Sequence, residues 1–264
     1  MAEVLARHTT LRLGGPAAHF VEATTEEALV EAVRAADEAG EPVLLVAGGS
    51  NLVVADEGFP GTVLKIATRG VRVEQDACSG ATVTVAAGEA WDALVARAVD
   101  EGWVGVEALS GVPGSVGATP IQNVGAYGQE VAETIASVRC WDRRDRTVRT
   151  IAAAECGFGY RTSRFKQDPA RHVVLTVTFQ LRLGDLGRLD VIHLGLGPDG
   201  HTASLFPDSP ALDASPSRAV VRNEDPHGRN PLPRLTFTTT AIDAAYADEY
   251  SNPINPAPDE IAIR

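Results

Sequence analysis

Three features of the 264-residue sequence predict an α+β fold. A strand–helix–strand pattern opens the chain and ends in Gly48-Gly49. Strand-like runs follow, and the longest, 172–183, alternates Val173, Leu175, Val177, Phe179 and Leu181 against Val174, Thr176, Thr178, Gln180 and Arg182. Between them lies 107–128, EALSGVPGSVGATPIQNVGAYG, with Gly at 111, 114, 117, 125 and 128.

Residues 8–22 read as a loop and then a short strand, 18–22. Thr24 with Glu27 fits a capping box, and Ala28, Leu29, Ala32, Val33 and Ala36 form a helical stripe stopped at Gly40. Pro42 opens the strand 43–47, which delivers Gly48-Gly49 at its C-terminal end, where α/β folds usually bind ligands. Strands follow at 62–66, 71–74 and 82–86. Residues 89–100 read as a helix with Trp91, Leu94, Val95 and Ala98 on the packed face. Residues 137–141 and 147–151 form a hairpin around the charged turn 142–146.

The composition shifts near Gly184: residues 1–183 hold six Pro, and 184–264 hold ten in less than half the length. There 188–197 and 235–240 are strand-like, 241–250 has a short helical pattern, and 251–264 reads as an extended tail. The predicted units are 1–66, 67–183, 184–250 and 251–264.

The Gly-dense run is no flexible linker. Val112, Val116, Ile121, Val124 and Tyr127 give it apolar anchors, and Pro113 and Pro120 stiffen it. Gly removes the Cβ where backbone must approach something closely, and bare N–H groups suit a phosphate or a flat ring. VLLVAGGSNL, 43–52, has the strand-then-Gly-Gly order of a phosphate cradle, though an ordinary strand–turn–strand explains it equally well. It is neither a P-loop nor a dinucleotide fingerprint. Two such loops with strands between them point to one extended cofactor.

A net charge of −12 without a basic run argues against nucleic acid and anionic membrane as partners. Only Lys65 and Lys166 are lysines. No signal peptide or membrane span is visible. Cys78, Cys140 and Cys156 lack a CxxC pattern and read as reduced, cytosolic thiols that hold no metal.

Four segments carry a resemblance: HTTLRLGGPA (8–17), LLVAGGSNLVVADEGFPGTVL (44–64), LSGVPGSVGATPIQNVGAYG (109–128) and FGYRTSRFK (158–166). In this order and spacing they closely resemble the UDP-N-acetylenolpyruvoylglucosamine reductases, also called UDP-N-acetylmuramate dehydrogenases, over 8–183. The resemblance implies a two-lobed FAD-binding fold of the vanillyl-alcohol-oxidase type, with lobes 1–66 and 67–183. It also implies a cytoplasmic flavoprotein oxidoreductase of peptidoglycan synthesis, and hence of cell-wall biogenesis, cell shape and cell division. Its cofactors are FAD and NADPH, and its partner is a small sugar nucleotide. In the family NADPH reduces FAD, hydride then passes to the enolpyruvyl carbon farther from the carboxylate, and a proton completes the other carbon. Negative charge builds beside the carboxylate, where a fixed cation helps. Arg161 matches the catalytic Arg, and its permanently charged fork can hold a carboxylate. By the same resemblance Tyr160 would be a neighbouring substrate contact. Gly48, Gly49, Ser50, Asn51 and Leu52 match the pyrophosphate loop. Ser110, Gly111, Gly114, Gly117, Gln122, Asn123, Gly125 and Ala126 match the second flavin-facing stretch.

A second resemblance lies downstream. LDVIHLGLGPDGHTASLFP, 189–207, is similar to the 6-phosphogluconolactonases, and 225–245 loosely continues that pattern. It implies a partial α/β lactonase-like segment over 184–250, with Asp199 beside a functional His201 that could act as general base on water. The upstream half of that fold has no counterpart here. The reductases' C-terminal Ser proton-donor motif is also absent after residue 183, and nothing around Glu260 matches their late Glu. Three function classes therefore stand: a reductase, a lactone hydrolase through His201, and a flavin-binding module without turnover.

Overall fold

The computed structural model describes residues 3–184, residue 212 and the segments 220–223 and 234–237. The first lobe sets β1 (Ala17–Ala23), α1 (Glu26–Glu38), β2 (Val43–Val46) and β3 (Phe59–Ile66) in chain order. Its sheet runs β1-β3-β2, all parallel, so the C-terminal ends of the three strands share one edge. Leu29, Val33 and Ala36 are the buried stripe of α1, as the spacing predicts. The cap is one residue later than expected: Thr25 Oγ1, not Thr24, accepts from the Ala28 N–H at 3.2 Å. Three residues beyond Thr25 stands Ala28, so no carboxylate completes a reciprocal box. Strand β3 starts three residues earlier than its apolar run implies. It takes in Pro60 and Gly61, which stand against Ala18 alone where the pairing with β1 shifts register between Ala17 and His19.

The second lobe holds β4 (Val71–Asp76), β5 (Gly80–Ala86), α2 (Trp91–Asp100), β6 (Trp103–Val104), β7 (Gly125–Ala126), β8 (Gln129–Glu130), β9 (Ile135–Asp142), β10 (Thr147–Ala152) and β11 (His172–Leu183). The main sheet is antiparallel, in the order β10-β9-β11-β5-β4, with β6 on the end of β11. Helix α2 begins at Trp91 rather than residue 89. The Glu89 carboxylate instead accepts the Gly70 N–H at 2.7 Å, and its carbonyl accepts from Val116. The alternation expected along β11 breaks once. Val173, Val174 and Leu175 are all buried, because the register against β9 shifts between Val174 and Thr176. Upstream of the shift Val173 and Leu175 face the first lobe, and downstream Val177, Phe179 and Leu181 face the core of the second.

The lobes share a core and a charged latch. Trp141, Val173 and Leu175 pack with Ala23, Leu29, Val33 and Leu64. Arg143 Nε donates to both Asp37 carboxylate oxygens at 3.2 Å, and Arg139 pairs with Glu26. Behind them Asp142, its side chain 1% exposed, accepts from Arg171 Nη2 at 2.8 Å and from the N–H groups of Arg144 and Asp145 at 3.1 Å. Burial alone would push this carboxyl up. The Arg171 hydrogen bonds and charge, with the Asp145 N–H, outweigh it and hold the carboxyl down at about 2.

Beyond the second lobe, β12 (Val220–Asn223) pairs antiparallel with β13 (Arg234–Phe237), the latter overlapping the expected strand 235–240. The strand at 188–197, the helix at 241–250 and the tail at 251–264 fall outside the described residues. Among the described residues no helix is long and apolar enough to cross a membrane.

A depressed carboxyl stabilises the fold above its unfolded pKa, about 4, and loses that contribution as pH falls through the folded value. Asp142→Asn is expected to lower the melting temperature at pH 7 by roughly 5–10 °C. The gap to the parent should narrow between pH 4 and pH 2, because the parent then loses the same charge. Thermal melts of both proteins across that range check the sign and the window.

Candidate cofactor site

The C-terminal edge of the parallel sheet emits the loop 47–52, and the Gly-dense stretch meets it there. A Cβ on Gly48 would lie 2.9 Å from Gly114 Cα, so the two main chains touch with no room for a side chain. Ser50 Oγ donates to the Pro113 carbonyl at 3.3 Å. Gly49 has φ +64, its carbonyl accepts from the Thr10 N–H at 3.0 Å, and a Cβ there would meet His8 O at 1.9 Å. Lys65, half-buried on β3, donates its ammonium to the Ala47 carbonyl just before the loop, and burial lowers its pKa.

The Gly-dense stretch is not devoid of structure. It contains 3-10 turns at Glu107–Leu109 and Val116–Ala118, the short helix α3 (Thr119–Gln122), and β7, which pairs with β8 just beyond the stretch. The turn 87–91 anchors it: Gly117 N–H donates to Ala87 O at 2.9 Å, Val116 N–H to Glu89 O at 2.9 Å, and Trp91 N–H to Gly114 O at 3.1 Å. Asp92 holds Gly111 N–H at 2.7 Å and Ser110 Oγ at 3.4 Å. Ser115 Oγ, beside the Gly48–Gly114 contact, is buried and has no hydrogen-bond partner. A cradle that a Cβ would fill, with an orphan hydroxyl behind it, fits a flat, phosphate-bearing cofactor.

The sequence-predicted residues do not all face open space. Gly48, Asn51 and Gly111 are exposed, whereas Gly49, Ser50, Leu52, Ser110, Gly114, Gln122, Gly125 and Ala126 are half-buried. Gly117 is buried with its N–H spent on Ala87, so it packs the loop onto the sheet. Asn123 is also buried, its amide bonded to Glu130, Gly159 and Ala132. His201 and Asp199 lie outside the described residues.

Arg161 sits in the turn between Gly159 and Thr162 with φ +52, unusual for a residue with a side chain. Its guanidinium donates to the carbonyls of Asn123, at 3.3 Å, and Gly125, and lies 5.3 Å from the Tyr160 ring. Among the described residues these hydrogen-bond partners are neutral carbonyls. Tyr160 is 83% exposed. Tyr127, expected as an apolar anchor, is instead 92% exposed. It has φ +50 and Gly128 has φ +81, the two central positions of the β7–β8 hairpin. Such turns need two positive φ angles and favour Asn-Gly, so a Tyr-Gly pair presents its ring at a backbone cost. That pair was the signal from which the sequence could have placed Tyr127 on the surface.

A family model described as FAD binding domain matches residues 17–151, just over half of the chain. The chain belongs to the FAD-binding domain family. The expected α+β, two-lobed FAD-binding fold is thereby borne out for this region. The UDP-N-acetylenolpyruvoylglucosamine reductase of Cutibacterium acnes is 58% identical over 180 residues, 68% of this chain and 48% of that protein. The Streptomyces coelicolor enzyme of the same name is 55% identical over 181 residues, 69% of this chain and 46% of that one. The solved structure of the UDP-N-acetylenolpyruvylglucosamine reductase from Thermus caldophilus is similar with a TM-score of 0.54 at 30% identity, covering 71% of this chain and 63% of that one. The chain spans about half the length of the curated relatives it matches. A second model, glucosamine-6-phosphate isomerases/6-phosphogluconolactonase, matches residues 162–247. Its first part overlaps β11, the central strand of the FAD-binding fold's second lobe.

The Gly49 contact predicts a contrast within this fold. Gly49→Ala forces a methyl into His8 O, whereas Gly111, also at positive φ, has nothing within 4 Å. Gly111→Ala is expected to cost about 1 kcal/mol, and Gly49→Ala distinctly more. Denaturant unfolding of both variants measures the difference.

Proposed function

We propose that the chain seats FAD where the loops 48–52 and 110–117 meet. It would serve the NADPH-dependent reduction of UDP-N-acetylglucosamine enolpyruvate to UDP-N-acetylmuramate, a cytoplasmic step of peptidoglycan synthesis that feeds wall growth, cell shape and division. The observation that carries this reading is the Gly48–Gly114 contact, where two side-chain-free backbones meet at a parallel-sheet edge, with Arg161 held on the carbonyls of Asn123 and Gly125.

The N–H groups of 48–51 would hold the pyrophosphate, with Leu52 beneath them. Ser110, Gly111, Gly114, Gly117, Gln122, Asn123, Gly125 and Ala126 would form the second wall, Gly117 and Asn123 by fixing its shape. When bound, FAD supplies the hydride relay between NADPH and the enolpyruvyl group. Arg161 would hold the substrate carboxylate and stabilise the charge that builds beside it, and the exposed Tyr160 ring would flank the substrate. The hydrolase reading through His201 is less favoured, since the similar proteins over two thirds of the chain are reductases.

A second reading is a flavin-binding module with little turnover, since residues 184–264 carry no match to the reductases' Ser proton-donor motif. Purified protein is expected to take up FAD, and NADPH to bleach it. Reoxidation by the enolpyruvyl sugar nucleotide should be slowed about 10²- to 10⁴-fold if the proton donor is missing. Gly48→Val, which fills the cradle, should abolish flavin uptake with the circular dichroism spectrum retained. Full flavin occupancy in that variant would sink the assignment of the seat.

A further inference from the structure

We propose that Asn123 is the positioning residue for Arg161, fixing the cation from both ends. The inference rests on the reading of Arg161 as the group that holds the substrate carboxylate. Asn123 follows α3 in the left-handed conformation, φ +44, and is 1% exposed. Its Nδ2 donates to the Gly159 carbonyl at 3.0 Å, the base of the turn that carries Arg161. Its own carbonyl accepts from Arg161 Nη1 at 3.3 Å. One residue thus grips the turn through its side chain and the guanidinium through its main chain.

The amide cannot be turned round. Oδ1 accepts the Ala132 N–H at 3.1 Å, and Nδ2 donates to Glu130 Oε2 at 2.7 Å. A backbone N–H can only donate and a carboxylate only accept, so both neighbours fix the same orientation. Arg161 needs such a grip because its φ of +52 is costly for any residue but Gly. The guanidinium is also crowded against β7. A Cβ on Gly125 would lie 2.8 Å from Arg161 Nη1 and 2.9 Å from Glu130 Cγ. Two other anchors hold the same segment: Ser163 Oγ donates to Ile121 O at 2.7 Å, and Lys166 Nζ to Arg161 O at 2.9 Å. The fold is therefore expected to survive loss of the Asn123 amide while the aim of Arg161 does not.

Two variants separate these roles. Asn123→Gly keeps the left-handed backbone and the carbonyl and removes only the amide. N123D/E130Q restores a hydrogen bond to β8 with its polarity reversed but leaves Gly159 O without its donor. The first readout is phenylglyoxal labelling of Arg161 in the full chain, followed by mass spectrometry, with the exposed Arg149 as internal reference. Arg161 is expected to label several-fold faster in both variants, and Arg149 at an unchanged rate. The second readout is the affinity ratio of the FAD-loaded protein for the enolpyruvyl sugar nucleotide over UDP-N-acetylglucosamine. Measured at saturating FAD, it should fall about ten-fold, the worth of one charge-assisted hydrogen bond. Equal Arg161 labelling in the parent and both variants would overturn the proposal, as would parent-like behaviour of N123D/E130Q. A parent that takes up no FAD would remove the reductase reading and leave the labelling to decide the role of Asn123.

Discussion

The constraint on which the candidate site depends is the approach of Gly48 to Gly114. Two main chains from different lobes come within van der Waals contact, and a single Cβ would separate them. Much of the site follows from that contact. The first loop needs a parallel sheet behind it, because only there do strand ends and their loops gather on one edge. The second needs the turn 87–91 beneath it, which takes the N–H groups of Val116 and Gly117 and gives the Trp91 N–H to Gly114. Side chains are kept out of the seat and used behind it, where Asp92 and Ser50 fasten the loops.

A ligand seated where the two loops meet needs lobes that cannot slide. The shared core of Trp141, Leu175, Leu29 and Leu64 fixes their separation, and Arg143 on Asp37 adds direction. A buried carboxylate such as Asp142 costs desolvation that its arginine must offset, so its net worth is smaller than its short contacts suggest. Its use is geometric: it holds the β9–β10 turn at the angle that brings Arg143 onto α1. Stability of the junction and precision of the site are thereby linked through one hairpin.

Much of this was legible in the sequence. Strand–helix–strand periodicity placed the first lobe, and the Gly clusters marked both loops. The misses have local causes. Thr24 and Thr25 are equivalent to a pattern that counts residues, and the backbone chose the second. Val174 is buried because a register shift, invisible in one strand's own sequence, covers both faces of β11. Gly117 and Gly48 look alike as letters, yet one packs on Ala87 and the other faces outward. Tyr127 reads as an anchor by hydrophobicity and is exposed because its neighbour Gly128 completes a tight hairpin.

The central claim is that both Gly-rich loops belong to one seat. Hydrogen–deuterium exchange of the full chain with and without FAD tests it directly, peptide by peptide. The account predicts that FAD slows exchange in 48–52 and 110–117 together, at the same ligand concentration, with the outer strand β10 unchanged. Protection of one loop without the other, or of neither while flavin is bound, would contradict it.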